Sequence, residues 1–187
     1  MIMVALQDFL NIVRGGHFLI LDTETTGLER GEVVQIGVID SSGRELMNTF
    51  VKPVDPIPLS TTRIHGITNQ MVASAPRFGE VVEQLRQTLQ DQQVIVYNAV
   101  YDRRMLHLSA EAAGLEKTDW KTLSHWWCAM EAFAEVYGDY NSFRRSYRWQ
   151  KLSTAARYYG LSPVNEHTAL GDCLTTLAVC KHMAGLA

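Results

Sequence analysis

Two acids two residues apart, Asp22 and Glu24, directly follow the apolar run Phe18, Leu19, Ile20 and Leu21. Carboxylates are costly at the end of a buried strand, so their position calls for a purpose. Strand side chains alternate, which puts the pair on one face, where it can offer oxygen ligands to a hard cation. A lone Asp-x-Glu is more often a turn acid, but further elements follow it in order. Asp102 stands four residues after Asn98, where the apolar run Val94, Ile95, Val96, Tyr97 passes into a helical pattern. Taken alone, Asp102 reads equally well as an acid complementing a helix N-terminus. His167 precedes Thr168, a natural N-cap, and Asp172 falls in the first turn of the last helix. Four such carboxylates without bases among them would repel one another and hold protons, whereas two divalent ions would neutralise them and orient an attacking water. A histidine at the rim, with a reference pKa of about 6.5, is the fitting base.

Four runs then carry a resemblance: Leu21-Asp22-Thr23-Glu24-Thr25-Thr26-Gly27-Leu28, Ile64-His65-Gly66-Ile67-Thr68, Asn98-Ala99-Val100-Tyr101-Asp102, and His167 followed by Asp172. In this order, spread over residues 18–183, they resemble the DEDDh-type 3′–5′ exonucleases, the family of the proofreading epsilon subunit of bacterial DNA polymerase III, RNase T and exonuclease X. The resemblance implies a ribonuclease H-like fold. It implies that Asp22, Glu24, Asp102 and Asp172 hold two Mg2+ ions, with Mn2+ as a substitute, and that His167 is the general base. Thr25, Thr26 and Leu28 would line the pocket for the terminal nucleotide, with Ile64, His65 and Tyr101 on its other side. Two positions depart from the family pattern: Tyr97 stands where many members have His, and Gln35 where Glu is common.

The implied reaction is in-line attack of water on the last phosphodiester of a nucleic acid with a free 3′ end, releasing a nucleoside 5′-monophosphate. Single-stranded DNA is the expected polymer, although the reacting phosphate is common to DNA and RNA. Partner expectations are a homodimer, as several relatives form, and docking on a polymerase or other processing complex. A freestanding enzyme is favoured because the chain ends at Ala187, directly after the last helix. The segment Tyr137 to Lys151 interleaves aromatics with Arg144, Arg145 and Arg148, as a single-strand path requires, and reads equally well as a packing loop with a basic edge.

The elements that must position these residues follow from apolar periodicity. Met3, Leu6, Leu10 and Val13 predict a leading helix within residues 1–16, and residues 17–184 a catalytic core, together one domain over residues 1–187. Three strands, over residues 18–21, 33–39 and 46–51, form an antiparallel meander with a turn at Asp40-Ser41-Ser42-Gly43. Pro53, Pro56 and Pro58 lead out of the sheet to a helical stretch over residues 61–72. Phe78, Val81, Val82, Leu85 and Leu89 mark an amphipathic helix, residues 94–97 a fourth strand, and Met105, Leu106 and Leu108 the helix after it. Residues 124–137 read as a short strand and a helix, residues 138–150 as a loop, and residues 152–159 as a helix. Ser162-Pro163 then leads to the last helix over residues 168–183. The sum is an α/β fold: a mixed five-stranded sheet with helices on both faces. A net charge of -3 makes any phosphate binding local. Cys128, Cys173 and Cys180 lack metal or disulfide spacing and read as buried thiols. No apolar run is long enough for a membrane span, and the N-terminus is a poor signal peptide, so a cytoplasmic chain is expected.

Overall fold

A computed structural model describes residues 6–116, 118–162 and 167–187; Met3 and Pro163, named above, lie outside the described residues. The leading helix is α1 (Leu6–Gly15). The meander follows as β1 (Leu19–Thr25), β2 (Val33–Asp40) and β3 (Glu45–Phe50), antiparallel throughout. Its predicted turn closes because Asp40 Oδ1 accepts the Ser42 and Arg44 backbone N–H groups, at 2.9 and 3.1 Å.

The proline-rich excursion carries α2 (Leu59–His65). This is a correction to the helix expected over residues 61–72: it stops at Gly66, whose left-handed φ of 74° closes it. The excursion stays on the sheet through a small cluster of Val34, Ile57, Ile67 and Val72, and through Asn69, whose side chain bonds both the N–H and the carbonyl of Ile57. After it come α3 (Phe78–Leu89), β4 (Gln93–Val96), α4 (Ala99–Ala112), α5 (Trp120–Leu123), β5 (His125–Cys128) and α6 (Ala129–Tyr137). Residues 138–150, expected as a loop, instead contain a two-stranded hairpin, β6 (Tyr140–Asn141) and β7 (Ser146–Tyr147). The rings of Tyr140 and Tyr147 meet edge to face across it. α7 (Leu152–Tyr158) and α8 (Ala169–Met183) complete the chain.

The main sheet has the order β3-β2-β1-β4-β5, with β4 parallel to β1 and to β5. α8 covers β1 and β2 on one face, and α4 lies across β1, β4 and β5 on the other. Ile20, Leu21, Ile36, Ile95, Met105 and Leu106 form the centre of the core between them, all fully buried. All three cysteines are free and buried, as expected. No helix among the described residues is long and apolar enough to cross a membrane.

Candidate active site

Alternation along β1 separates its side chains into two sets. Asp22 and Glu24 turn toward α8, while Thr23 and Thr25 bond to Asp102 and Tyr101 of α4. α8 starts where the Thr168 hydroxyl accepts the Gly171 N–H at 3.1 Å, and Asp172 lies in its first turn. One ligand oxygen each from Asp22, Glu24 and Asp172 lies within 4.8 Å of the others, so the three can converge on one cation.

Gly37 makes this convergence sterically feasible. It faces Asp22 across the β1–β2 ladder, and a Cβ there would come within 2.8 Å of the Ala169 backbone at the start of α8. Gln35 orients the same helix end: its Oε1 accepts the Ala169 N–H at 3.2 Å, and its Nε2 donates to Asn48 Oδ1 at 3.2 Å. The Gln35 departure noted above therefore has a structural task. Gly37 was not singled out from the sequence, although a glycine inside the run Val33-Val34-Gln35-Ile36-Gly37-Val38-Ile39 is the usual mark of a close backbone approach.

Asp102 arrives from the α4 side. β4 pairs with β1 only at Leu19–Val94 and Ile20–Ile95, so beyond Ile20 the edge of β1 facing β4 needs another partner. Asp102, 3% exposed, supplies it by accepting the Thr23 N–H at 3.1 Å and the Thr23 hydroxyl at 2.7 Å. It is not one of the three converging oxygens, yet its charge reaches them.

Burial raises the proton affinity of Asp22 well above the usual carboxylate range, and Asp102, Asp172 and Glu24 push it further. Burial, then Asp172 and Asp102, pushes Glu24 up to about 8. Asp102 is raised by burial against the opposing Thr23 hydrogen bonds. Beneath them the Cys173 thiol, raised by burial and then by Asp22, Asp102 and Asp172, stays neutral and donates to the Gly37 carbonyl at 3.4 Å. Acids that resist ionisation together are what a cation site of this donor chemistry looks like without its counter-charge. The residues present therefore fit an oxygen-loving divalent metal.

His167 is exposed just ahead of α8, in a left-handed backbone conformation with φ 62°. Its charge reaches His65: burial lowers the His65 pKa and His167 adds to this, against the Thr25 backbone. His65 Nδ1 accepts the Ile67 N–H at 3.0 Å, which leaves the proton on Nε2, buried and turned to the Thr25 backbone. Thr25 Oγ1 lies 2.6 Å from the Tyr101 hydroxyl, and Thr26 Oγ1 accepts the Glu32 N–H at 2.9 Å while keeping its own proton to donate. Leu28 and Ile64 are 75% and 60% exposed at the same end of the sheet. Arg144, Arg145 and Arg148 are exposed on or beside the β6–β7 hairpin, with Arg148 paired to Asp139 at 3.6 Å.

Residues 19–180 match the RNase T family, described as exonuclease. An uncharacterized exonuclease, CP81 of Escherichia phage 186, is 38% identical over 170 residues, covering 89% of this chain and 87% of that protein. The DNA polymerase III subunit epsilon-like protein of Rhodobacter capsulatus is 31% identical over 169 residues, covering 85% of this chain but only 22% of that longer protein. Among solved structures, exonuclease X in complex with 5′ overhanging duplex DNA superimposes with a TM-score of 0.62 at 24% identity, covering 91% of this chain and 94% of that one. Escherichia coli exonuclease I with a dT13 oligonucleotide gives 0.71 at 18% identity, covering 89% of this chain and 40% of that one. These likenesses match the mixed sheet with the ribonuclease H-like arrangement, and the sequence match names the chemistry. The chain belongs to the exonuclease family of the RNase T type.

Proposed function

We propose that this exonuclease works from the 3′ end of single-stranded DNA and releases nucleoside 5′-monophosphates. The observation that carries the reading is the convergence of Asp22, Glu24 and Asp172 oxygens within 4.8 Å. Two Mg2+ ions, replaceable by Mn2+, held by Asp22, Glu24 and Asp172 with help from Asp102, would neutralise these acids and make a bound water more acidic. His167 takes the proton of the attacking water, and its place at the exposed start of α8 gives it access to solvent on release. Leu28 and Ile64 offer apolar surface to the last base, and Tyr101, Thr25 and Thr26 offer hydroxyls to its sugar. His65, buried behind Thr25, would back the wall of the same pocket.

Arg144, Arg145 and Arg148 are assigned to the strand behind that nucleotide. Support comes from Tyr97, at the end of β4, whose hydroxyl donates to the Gln150 carbonyl at 2.8 Å and ties the end of the hairpin segment to the strand that leads into Asn98 and Asp102. Residues 17–184 would act as one catalytic core. A freestanding enzyme is favoured by the near end-to-end match to the phage exonuclease. The second reading, a subunit docked on a polymerase complex, rests on the epsilon-like relative, and a homodimer is compatible with either.

The deciding experiment is digestion of 5′-labelled single-stranded DNA, duplex DNA and RNA in Mg2+. The expected result is a ladder shortening from the 3′ end, fastest on single-stranded DNA, with mononucleotide product. An unshortened label, or release of oligonucleotides, would overturn the reading.

A further inference from the structure

A second cationic site lies on the far side of α4. Arg103, Arg104 and His107 of α4 face Asp119 and Lys121 of the α5 segment across a cavity of about 420 Å³. Three permanent cations thus meet one carboxylate, and that carboxylate is occupied: Asp119 Oδ1 caps α5 by accepting the Lys121 and Thr122 N–H groups, at 3.0 and 3.4 Å. Arg103 lies over the ring of Trp126, 5.6 Å from its centroid, and its charge reaches Glu131. Arg104 and Lys121 form no ion pair among the described residues. In a chain of net charge -3, this excess of positive charge over Asp119 and the more distant Glu131 is local rather than part of a general field.

Its position relates it to the carboxylates. His107 is five residues beyond Asp102 on α4, about 7.5 Å along the helix axis at 1.5 Å per residue. Arg104 also donates to the Leu28 carbonyl in the β1–β2 turn, so the same side chain touches the cavity and the turn assigned to the last base. A nucleic-acid strand carries one phosphate per about 3.4 Å of duplex axis and is longer per nucleotide when extended. Asp102 and His107 also point to opposite sides of α4, so the helix width of about 10 Å adds to that axial step, and the cavity lies two or three extended nucleotides from the carboxylates.

We propose that Arg103, Arg104, His107 and Lys121 form a phosphodiester subsite that holds the single strand a few nucleotides behind its reacting end. The subsite rests on the exonuclease reading above and adds to it a second anchoring point, separate from the hairpin arginines. The guanidinium of Arg103, fixed on Trp126, and the shorter reach of His107 would fix the path, while Lys121 closes it from the α5 side.

The test uses the wild-type chain with Ca2+, so that strand is bound rather than consumed, and reads the acetylation rate of Lys121 by mass spectrometry. A long oligothymidylate is expected to protect Lys121 several-fold, and a dinucleotide, which fills only the terminal pocket, is expected to leave it reactive. In parallel, the Arg103→Gln/Lys121→Gln variant should bind the long strand with a salt slope shallower by about 1.4, two phosphate contacts at about 0.7 each. Unchanged Lys121 reactivity with the long strand bound would overturn the subsite. So would equal protection by a nucleoside 5′-monophosphate, which would make the cavity a site for free phosphate. Release of mononucleotides in Mg2+ alongside either result would confine the failure to the subsite; no release would place it in the exonuclease reading itself.

Discussion

The acid floor and the rim of this site are built from different material. Asp22, Glu24, Asp102 and Asp172 stand on a central strand and in the first turns of two long helices, with Gly37, Gln35 and Thr23 fixing their backbones from behind. The residues proposed for the rim, Leu28 and Ile64, stand on a turn and a two-turn helix, 75% and 60% exposed. The contrast follows from what each must do. Like charges held close together relax apart unless stiff elements prevent it, whereas a surface proposed to receive bases of every kind would gain from adjustable turns.

The largest expected effect comes from breaking the floor at its centre. Asp22→Ala should abolish metal-dependent hydrolysis while the variant still folds, because removing one acid relieves repulsion among the others. Product release and thermal unfolding, measured side by side, check both halves. The same repulsion gives the wild type a pH signature. Folded, metal-free protein keeps the Glu24 proton up to about 8, while the unfolded chain releases it near the ordinary glutamate value. The folded state then binds more protons, so stability in chelator should fall as pH rises between those values. Mg2+ should raise the melting temperature more at the alkaline end of that window, and a pH-independent metal effect would contradict the floor as drawn.

Next in size is His167→Ala, expected to lower turnover by about 10² to 10⁴-fold with strand binding less affected. Gly37→Ala tests whether stiffness matters as much as the ligands do. The added Cβ collides with Ala169, so overpacking should cost about 1–3 kcal/mol in a denaturant titration. Displacement of Asp172 should lower turnover by up to about a hundredfold although no ligand is removed. The smallest effects belong to the rim. Arg144→Ala should weaken binding to a long strand for all sequences alike and make the salt slope shallower by about 0.7. Arg148→Ala should do less, since Asp139 already shares its charge. Equal effects from the two would show that the Asp139 pair does not persist in solution.

The floor was legible in the sequence because its chemistry is local and its spacing is rigid. Each acid alone read as a turn or helix-start group; the four runs in their order joined them, and strand alternation and the Thr168 cap gave Asp22, Glu24 and Asp172 a shared direction. The meander was legible for the same reason, through its apolar runs and the Asp40 turn. What escaped had no period to read. The strands of the β6–β7 hairpin are two residues long, too short for alternation to show, and α5 is a single turn. α2 ended early because Gly66 outweighs the apolar residues beyond it, and Ile67 and Val72 serve the small cluster under β2 instead. Arg103 and Arg104 drew no reading from the sequence, because what makes them notable is α5 lying opposite them.

The divergence of β4 from β1 has a spectroscopic consequence. A main-chain amide that a neighbouring strand would have taken is handed to a titrating side chain, so the Thr23 N–H senses the charge on Asp102 directly. Its proton resonance moves downfield when the carboxylate it faces is ionised and returns when that carboxylate is protonated. The chain thus carries, at its own backbone, a probe that reports counter-ion loading of the acids without any label, residue change or turnover.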